Sequence, residues 1–273
     1  MNGLAVRRVV VAIDASEPSV AAAEAAAEIA AALAVELAGR FVEDDRLLRL
    51  AGHPAVSAVD ALSAERRALE RRALERAMRA QAERARQRLE AAARRTGSSW
   101  RFEVRRGGVD DEVLAELDAA DLLAVGRVGW GGGRLLGGTA RAALARGPGA
   151  VLLLPRSPRP LGAAAVLFDG GAGSCAALDL AAHLAVAMGC PLRLLVELAA
   201  ADLERLERKA GEVLGRRPVR LEWNRVARGG LSEALALSGR RRSLLVLSTE
   251  IAGDESKTAR MIEALDAPVL LVR

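Results

Sequence analysis

The fold is decided by residues 9–37, which read VVVAIDASEPSVAAAEAAAEIAAALAVEL. A second stretch, residues 164–192, repeats the pattern and reads AAVLFDGGAGSCAALDLAAHLAVAMGCPL. The two stretches align without a gap, with Asp14 opposite Asp169, and a chance match rarely keeps so long a register. The sequence therefore predicts two copies of one fold.

Each copy begins with a short apolar run that ends in Asp. A Ser that can cap a helix follows, then a helix rich in Ala and Leu, and then another apolar run. This order is typical of a β-α-β unit, and continuous apolar strands that alternate with helices indicate a parallel sheet covered on both faces. We therefore predict an α/β fold made of two tandem, doubly wound, five-stranded parallel sheets.

The same patterns give approximate bounds for the elements of each copy. In the first copy, strands are expected near 8–13, 37–42, 100–105, 122–125 and 150–154, and helices near 19–34, 63–95, 110–119 and 139–145. In the second copy, strands are expected near 163–168, 192–198, 219–223, 244–247 and 269–272, and helices near 174–188, 202–214, 231–238 and 257–265. Pro155, Pro158 and Pro160 interrupt any regular structure between the copies. We place the domains at 1–156 and 161–273.

Composition excludes several protein classes. The 273 residues are 51% hydrophobic, carry 40 Lys+Arg against 35 Asp+Glu, and include 2 Cys, which is typical of a globular protein rather than a collagenous, disulfide-framework or disordered one. The apolar run at 9–13 is too short for a signal peptide, and Glu residues interrupt the Ala-rich stretch at 20–38. We expect a cytoplasmic protein that does not bind a membrane, with Cys175 and Cys190 too far apart for a disulfide.

The formal net charge of +5 comes from one segment. Residues 65–95 hold eleven Arg and five Glu at three- and four-residue spacing, as on a solvated helix face. Aromatic residues make up 2% of the chain, so few rings are available to stack on bases, and no nucleic-acid partner is expected. An alternative remains open, in which the insertion at 43–95 is an arm that binds a protein partner or a second copy of the chain.

The richest glycine stretch is residues 126–139, which read GRVGWGGGRLLGGT after the fourth strand. In doubly wound sheets, ligands bind beyond the carboxyl ends of the strands. Glycine backbone N–H groups and the start of the following helix can hold a phosphate, and Thr139 can cap that helix and donate to a phosphate oxygen. A flexible surface loop is the alternative that composition leaves open.

The spacing Gly126-x2-Gly129-x8-Gly138-Thr139, with VAIDAS at 11–16, resembles the universal stress protein family. The whole chain resembles a tandem member, and LAGRFVEDDRLLRL at 37–50 resembles a bacterial branch. The resemblance implies a fold of the adenine nucleotide alpha hydrolase type and a cytosolic stress-response protein that binds ATP or another adenine nucleotide. ATP-binding members have one more residue in the loop before the last Gly, so this loop is one residue short.

The resemblance also implies roles for individual residues. Asp14, two residues after Ala12, would reach the ribose or a magnesium ion bound to the phosphates, although the residue also fits a plain helix-entry turn. The backbone of Val42, at the end of the second strand, would hydrogen-bond adenine. The implied nucleotide-binding residues are Ala12, Asp14, Val42, Gly126, Gly129, Gly138 and Thr139.

The second copy lacks this glycine pattern. Its corresponding loop, residues 248–258, reads STEIAGDESKT, with one Gly and three acidic residues that would repel a triphosphate. We expect this half to be a structural or regulatory partner that pairs with the first half within the chain.

Three further hypotheses concern nucleotide binding in the second half or hydrolysis of ATP. The segment at 171–176 fits the dinucleotide fingerprint G-x-G-x-x-A, with Glu197 as a ribose partner, and would make the second half an NAD-binding oxidoreductase domain. The sequence SKT at 256–258 matches the end of a P-loop, but no Gly directly precedes the Lys. A slow ATPase would have only Arg127 and Arg134 near the terminal phosphate, so we assign no catalytic and no metal-binding residue.

Overall fold

The computed structural model describes residues 6–14, 16–51, 57–59, 66–68, 70–127, 136–156, 162–197, 203–226, 243–253, 255–265 and 267–273. In the first half the strands are β1 (Arg8–Ala12), β2 (Glu36–Asp44), β3 (Ser57–Val59), β4 (Arg66–Ala68), β5 (Trp100–Gly107), β6 (Asp121–Gly126) and β7 (Ala150–Leu154). The helices of this half are α1 (Glu17–Ala32), α2 (Asp45–Leu50), α3 (Arg71–Thr96), α4 (Val109–Leu114) and α5 (Gly138–Arg146).

The described part of the second half repeats the plan. Its strands are β8 (Ala163–Leu167), β9 (Leu192–Glu197), β10 (Leu221–Val226), β11 (Ser243–Ser248) and β12 (Val269–Val272). Its helices are α6 (Ala172–Ala187), α7 (Leu203–Leu214), α8 (Thr249–Ala252) and α9 (Glu255–Ala264).

Ten of these strands form one sheet in the order β10-β9-β8-β11-β12-β7-β6-β1-β2-β5. Within each half, the five strands that belong to this sheet are parallel, and the winding direction reverses at the first strand. This confirms the prediction of two doubly wound five-stranded parallel sheets. The last strands, β7 and β12, pair antiparallel, with Leu152 opposite Leu270. The two sheets are therefore continuous across the middle of the chain.

The inner strands of the sheet are buried on both faces, as their unbroken apolar sequences predict, whereas the edge strands β5 and β10 are partly exposed. Along β1, Val9 and Val11 point into a core shared with α1, α3, α6 and α7, whereas Val10 points into a second core shared with α4, α5 and α9. Residues of α1 in the first core are mostly Ala, and this allows the helix to lie close to the strands.

The two halves exchange caps at the ends of two corresponding helices. Arg127 of the first half donates from Nη1 to the carbonyl oxygens of Ile262 and Leu265 at the end of α9, at 2.6 Å each. In return, Arg273 of the second half donates from Nη2 to the carbonyl oxygen of Ala143 in α5, at 3.3 Å. A cation at a helix C-terminus satisfies carbonyls that have no partner in the helix.

Two predicted helices differ from the structure by five or more residues at one end. The Arg-rich helix begins at Arg71 rather than 63, because Arg66–Ala68 pairs antiparallel with Ser57–Val59 as a small separate sheet. Helix α4 ends at Leu114 rather than 119. Glu116, two residues later, has a left-handed φ of 58°, and a helix cannot continue through that conformation. The predicted helix at 231–238 and the prolines 158 and 160 lie outside the described residues.

Two smaller expectations concern the membrane and the cysteines. Across the described helices, none combines the length and the apolar composition that crossing a bilayer requires. Both thiols are free, and burial raises the pKa of Cys175 and of Cys190 above the ordinary value.

Candidate functional site

A cleft of about 580 Å³ opens at the carboxyl ends of β1, β2 and β6. This edge is where strand order reverses in the first half, and it is the usual ligand position in doubly wound sheets. Its larger apolar wall residues are Ile13, Phe41, Val42, Leu47, Leu74, Met78, Val109, Val113 and Val125. Its polar wall residues are Asp14, Ser16, Ser19, Arg40, Asp44, Gln81 and Thr139.

The structure brings six of the seven sequence-predicted residues to this cleft. They come from five separate elements or turns of the first half, and they are Ala12, Asp14, Val42, Gly126, Gly138 and Thr139. The seventh, Gly129, lies outside the described residues. These residues are far apart in sequence, and the folded sheet brings them together at one cleft.

Asp14 shapes the turn that leads into α1. Its Oδ1 accepts hydrogen bonds from the backbone N–H of Ser16 at 3.0 Å and from the Ser16 hydroxyl at 2.6 Å. Ser16 is the N-cap of α1, and the backbone N–H of Asp14 donates to the hydroxyl of Ser19 at 3.0 Å. The turn role is therefore present in the structure, and the Asp14 side chain also lines the cleft.

Val42 presents its backbone to the cleft. β1 ends at Ala12, and the last hydrogen bond to β2 on that side is from the Ile13 N–H to the Arg40 carbonyl, at 3.0 Å. Alternate residues of a strand point their N–H and C=O groups to the same side, so those of Val42 point as those of Arg40 do. Because β1 has ended at this level, the Val42 N–H and C=O face open space where a planar ring with donor and acceptor groups can bind.

Helix α3 forms a wall of the cleft, whereas its charge pattern indicated only a solvated face. Leu74, Ala77, Met78 and Gln81 line the cleft, and Met78, Ala82, Ala85 and Leu89 are buried farther along the same face. This three- and four-residue spacing of apolar side chains was the available signal. The arginines occupy the other face, where Arg71 pairs with Glu75 and Arg86 with Glu83.

Arg40 is the basic residue among the described lining residues, but its charge is already used. Its side chain is 1% exposed, Nε donates to Glu103, and Nη1 donates to the carbonyls of Val113 at 2.9 Å and Ala115 at 2.7 Å. Burial raises the pKa of Glu103, but the hydrogen bond and charge of Arg40 bring it below the ordinary value. Arg40 therefore fixes the end of α4 and cannot reach a ligand without losing these bonds.

Thr139 and Arg127 make contacts that differ from the prediction. Thr139 was expected to donate to a phosphate, but its hydroxyl donates to Oδ1 of Asp110 at 2.9 Å. Arg127 was expected near the terminal phosphate, but its guanidinium is directed to the end of α9 in the second half. Both contacts join residues distant in sequence, and the sequence motif gave no sign of either partner.

The second half holds the described ends of the glycine-rich stretch. The Gly137 N–H donates to the Arg127 carbonyl at 2.8 Å, so these ends lie side by side. The Leu136 N–H donates to Oε1 of Glu263 in α9 at 3.0 Å, and Arg141 lies 3.6 Å from the same oxygen. The start of α5 is therefore positioned by residues of both halves.

The corresponding place in the second half is filled by the protein itself. Oε2 of Glu250 accepts the N–H of Gly173 at 3.3 Å, and a Cβ built on Gly173 would lie 2.8 Å from the same oxygen. The Thr258 hydroxyl is buried and donates to the Ala252 carbonyl at 3.2 Å. A phosphate at this helix start would meet a carboxylate, which counts against the NAD-binding alternative.

The P-loop alternative also meets a structural objection. Lys257 and Thr258 lie in the first turn of α9, but the segment before them contains the short helix α8 and one glycine, Gly253, rather than the glycine loop of a P-loop. The residues at 256–258 therefore lie at the start of a helix whose far end is capped by Arg127 of the first half.

Comparison with known proteins places the chain among proteins of one fold. A model of the universal stress protein family matches residues 5–155. The chain is similar to a universal stress protein from Archaeoglobus fulgidus DSM 4304, at 14% identity and a TM-score of 0.69, over 97% of this chain and 98% of that one. It is also similar to a functionally unknown protein from Pseudomonas aeruginosa PAO1, at 16% identity and a TM-score of 0.56, over 98% and 93%. No curated protein matches the sequence.

At these identities the solved structures support the fold alone, and the family model is the stronger finding. It covers more than half of the chain and includes all six predicted residues that line the cleft. The sheet order, the cleft at its switch point and the family model agree. The chain belongs to the universal stress protein family.

Proposed function

We propose that the first half binds an adenine nucleotide in the cleft and that the second half supports this site without binding a nucleotide itself. The observation that carries the proposal is the convergence of Ala12, Asp14, Val42 and the start of α5 on one cleft of about 580 Å³. Small-molecule sites typically have volumes of about 300–1,000 Å³ and combine apolar walls with a few polar groups.

The base is assigned to the end formed by β2 and α3. The Val42 N–H and C=O can pair with the donor and acceptor on the edge of adenine. Met78 and Leu74 offer apolar contacts to the flat face of a ring. Adenine fits this arrangement because it combines an apolar face with a polar edge.

The ribose and phosphates are assigned to the end formed by Asp14 and α5. The first turn of α5 carries backbone N–H groups that have no helical partner, and its N-cap, Gly137, makes no side-chain capping bond. Asp14 is the residue that would hold a magnesium ion bound to the phosphates. A contact from Gly129 to a phosphate remains a prediction from the sequence.

Binding is proposed in place of fast turnover. Hydrolysis of a terminal phosphate needs a group that orients water and a cation that stabilises the transferred charge. Arg127 is engaged with the carbonyls of α9, and Arg40 with Glu103 and the end of α4. The described walls therefore offer contacts that hold a nucleotide and no arginine directed at its phosphates.

Isothermal titration of the full chain with adenosine, AMP and ATP, with and without Mg²⁺, tests the proposal. Ala77→Trp places a large ring at the cleft, and Ala80→Trp places the same ring on the same helix at an exposed residue that does not line it. We expect Ala77→Trp to weaken binding at least about tenfold, because a steric clash in a packed site costs 1–3 kcal/mol. Ala80→Trp should bind within about twofold of the parent. Equal affinity in both variants, or no binding of any of the three ligands to the parent, would contradict the proposal.

The scaffold alternative, through residues 43–95, has weaker support. The apolar face of α3 is packed on the first half, and its charged face is engaged in short-range pairs such as Arg94 with Glu90, at 2.6 Å. Such pairs are typical of a solvated surface. The cytoplasmic location and the domain division at 156 and 161 stay predictions from the sequence.

A further inference from the structure

Asp110, in the first turn of α4, lies against the start of α5 beside the cleft. Its Oδ1 accepts the Thr139 hydroxyl at 2.9 Å, and its Oδ2 lies 3.3 Å from where a Cβ on Gly138 would be. Both carboxylate oxygens thus face the first turn of α5. The same turn carries the backbone N–H groups that the proposed function assigns to phosphate binding.

The carboxylate is not neutralised by a described cation. Its neighbour Asp111 pairs with Arg146 at 3.2 Å, whereas no Arg or Lys side chain in the described part of the chain forms an ion pair with Asp110. Asp14 adds a second carboxylate at the end of the cleft that the proposed function assigns to the phosphates, and Arg40 faces Glu103. Among the described residues, that end of the cleft therefore carries negative charge.

The consequence depends on the charge of the ligand. Repulsion between a carboxylate and a phosphate grows with each ionised phosphate oxygen brought within a few ångströms, and water screens it only partly in a cleft. An uncharged nucleoside meets no such penalty. The cost therefore falls on the phosphate chain and not on the base.

We propose that Asp110 is a specificity-determining residue that makes the cleft favour an adenine nucleoside or a nucleotide with a short phosphate chain over ATP. This inference rests on the proposed function. It deepens that function, because it assigns the ligand's phosphate count to one side chain. Helix α5 has an acidic residue supplied from α4 where an added phosphate would otherwise bind.

The test uses Asp110→Asn, which keeps the shape and removes the charge, with Asp111→Asn as a matched control one residue away. The full chain and both variants are titrated with adenosine, AMP and ATP in EDTA and again in excess Mg²⁺. We expect Asp110→Asn to raise ATP affinity about tenfold in EDTA and to leave adenosine affinity within about twofold. Asp111→Asn should change neither, because its carboxylate is exposed and already paired.

Several outcomes would overturn the inference. An equal change in adenosine and ATP affinity would mean that Asp110 acts only through the structure of the cleft. Unchanged ATP affinity would mean that its charge does not reach the phosphates, and a loss confined to Mg²⁺ would mean that it holds the cation. Asp110→Ala, with its unfolding midpoint, serves as the second variant if the Asn variant is poorly folded.

A separate arm keeps this inference distinct from the proposed function. Inorganic triphosphate has no base, so its binding does not depend on the adenine end of the cleft. If the parent and both variants fail to bind adenosine, AMP and ATP, the proposed function fails. The charge effect of Asp110 is then tested by thermal stabilisation. Inorganic triphosphate should stabilise Asp110→Asn more than it stabilises the parent. Equal thermal stabilisation of the two would overturn it.

Discussion

The Arg127 guanidinium of the first half donates to the carbonyl oxygen of Ile262 in the second half, across 2.6 Å. The same guanidinium group reaches the carbonyl of Leu265, and the Arg127 residue is 7% exposed. A residue at the end of β6, beside the cleft, therefore caps a helix of the other half. The two halves are joined at the site as well as through β7 and β12.

Arg127→Met should lower the free energy of unfolding by about 2 kcal/mol, because it removes the charged donor that bonds the buried carbonyls at the end of α9. Urea unfolding of the full chain measures this change. Arg146→Met is the matched control, since Arg146 makes an exposed pair with Asp111, and such pairs contribute about 0–1 kcal/mol. Equal losses in the two variants would contradict a capping role for Arg127.

Asp121 should make stability depend on pH in the acid range. Its side chain is 0% exposed and accepts hydrogen bonds from Arg8 Nε at 2.8 Å and Nη2 at 2.7 Å. Burial alone raises the pKa of Asp121, but the hydrogen bonds from Arg8 and from the Asp118 N–H bring it below the ordinary value. A lowered pKa in the folded state adds stability above the unfolded value of about 3.9, and this stability is lost as the pH falls through the folded value.

The measurement is the free energy of unfolding between pH 6 and pH 2 for the parent and Asp121→Asn. The parent should be the more stable protein at pH 6, and the difference should shrink below about pH 4. Asp118→Asn, which alters an exposed pair with Arg7, should show a smaller difference at pH 6. A parent advantage that grows as the pH falls would contradict the sign of the effect.

Gly39 marks the closest approach of α3 to β2. A Cβ at Gly39 would overlap the buried side chain of Leu89 and lie 3.1 Å from Phe102. Gly39→Ala should therefore destabilise the protein by about 1–3 kcal/mol and weaken ligand binding, because α3 forms a wall of the cleft.

Gly211 provides the control for this substitution. It lies in α7 with nothing within 4 Å of an added Cβ, so Gly211→Ala should stabilise the protein by about 0.5–1 kcal/mol. Thermal unfolding of both variants distinguishes them by the sign of the shift. A stabilised Gly39→Ala variant would show that α3 is not held as closely as the structure has it.

Gly129→Asp tests the predicted phosphate contact in the glycine-rich stretch. The added charge and bulk should abolish binding of AMP and ATP while leaving the unfolding midpoint nearly unchanged. Titration followed by thermal unfolding measures both. Unchanged affinity would remove Gly129 from the site and leave α5 as the proposed phosphate contact.

Local sequence patterns did not predict the short strands β3 and β4, but they were sufficient for the inner strands of the large sheet, because a buried parallel strand has to be apolar along its length. Val9 to Ile13 and Ala150 to Leu154 are such runs. The repeat predicted that both halves share one topology, and the sheet order confirms this. The individual cleft residues were predicted through the resemblance to the universal stress protein family, and their place at strand ends agrees with the way these ends meet at one edge of the sheet.

The contacts that set the electrostatics of the site could not be predicted from one sequence. Thr139 and Asp110 are 29 residues apart, and Arg127 and Ile262 are 135 apart, so each pairing depends on where the folded sheet places two helices. The wall formed by α3 was missed for another reason. Its arginines dominate the composition, and they hide the apolar face that carries Leu74 and Met78.

Hydrogen–deuterium exchange of the full chain with and without AMP tests the central claim most directly, because it locates the ligand without a substitution. We predict added protection in peptides that cover β1 and its turn, the end of β2, the start of α3 and the start of α5. Peptides that cover Asp169 to Ser174 and Ser248 to Thr258 in the second half should be unchanged. Protection confined to the second half, or no protection at an AMP concentration that saturates binding, would contradict a nucleotide site in the first half.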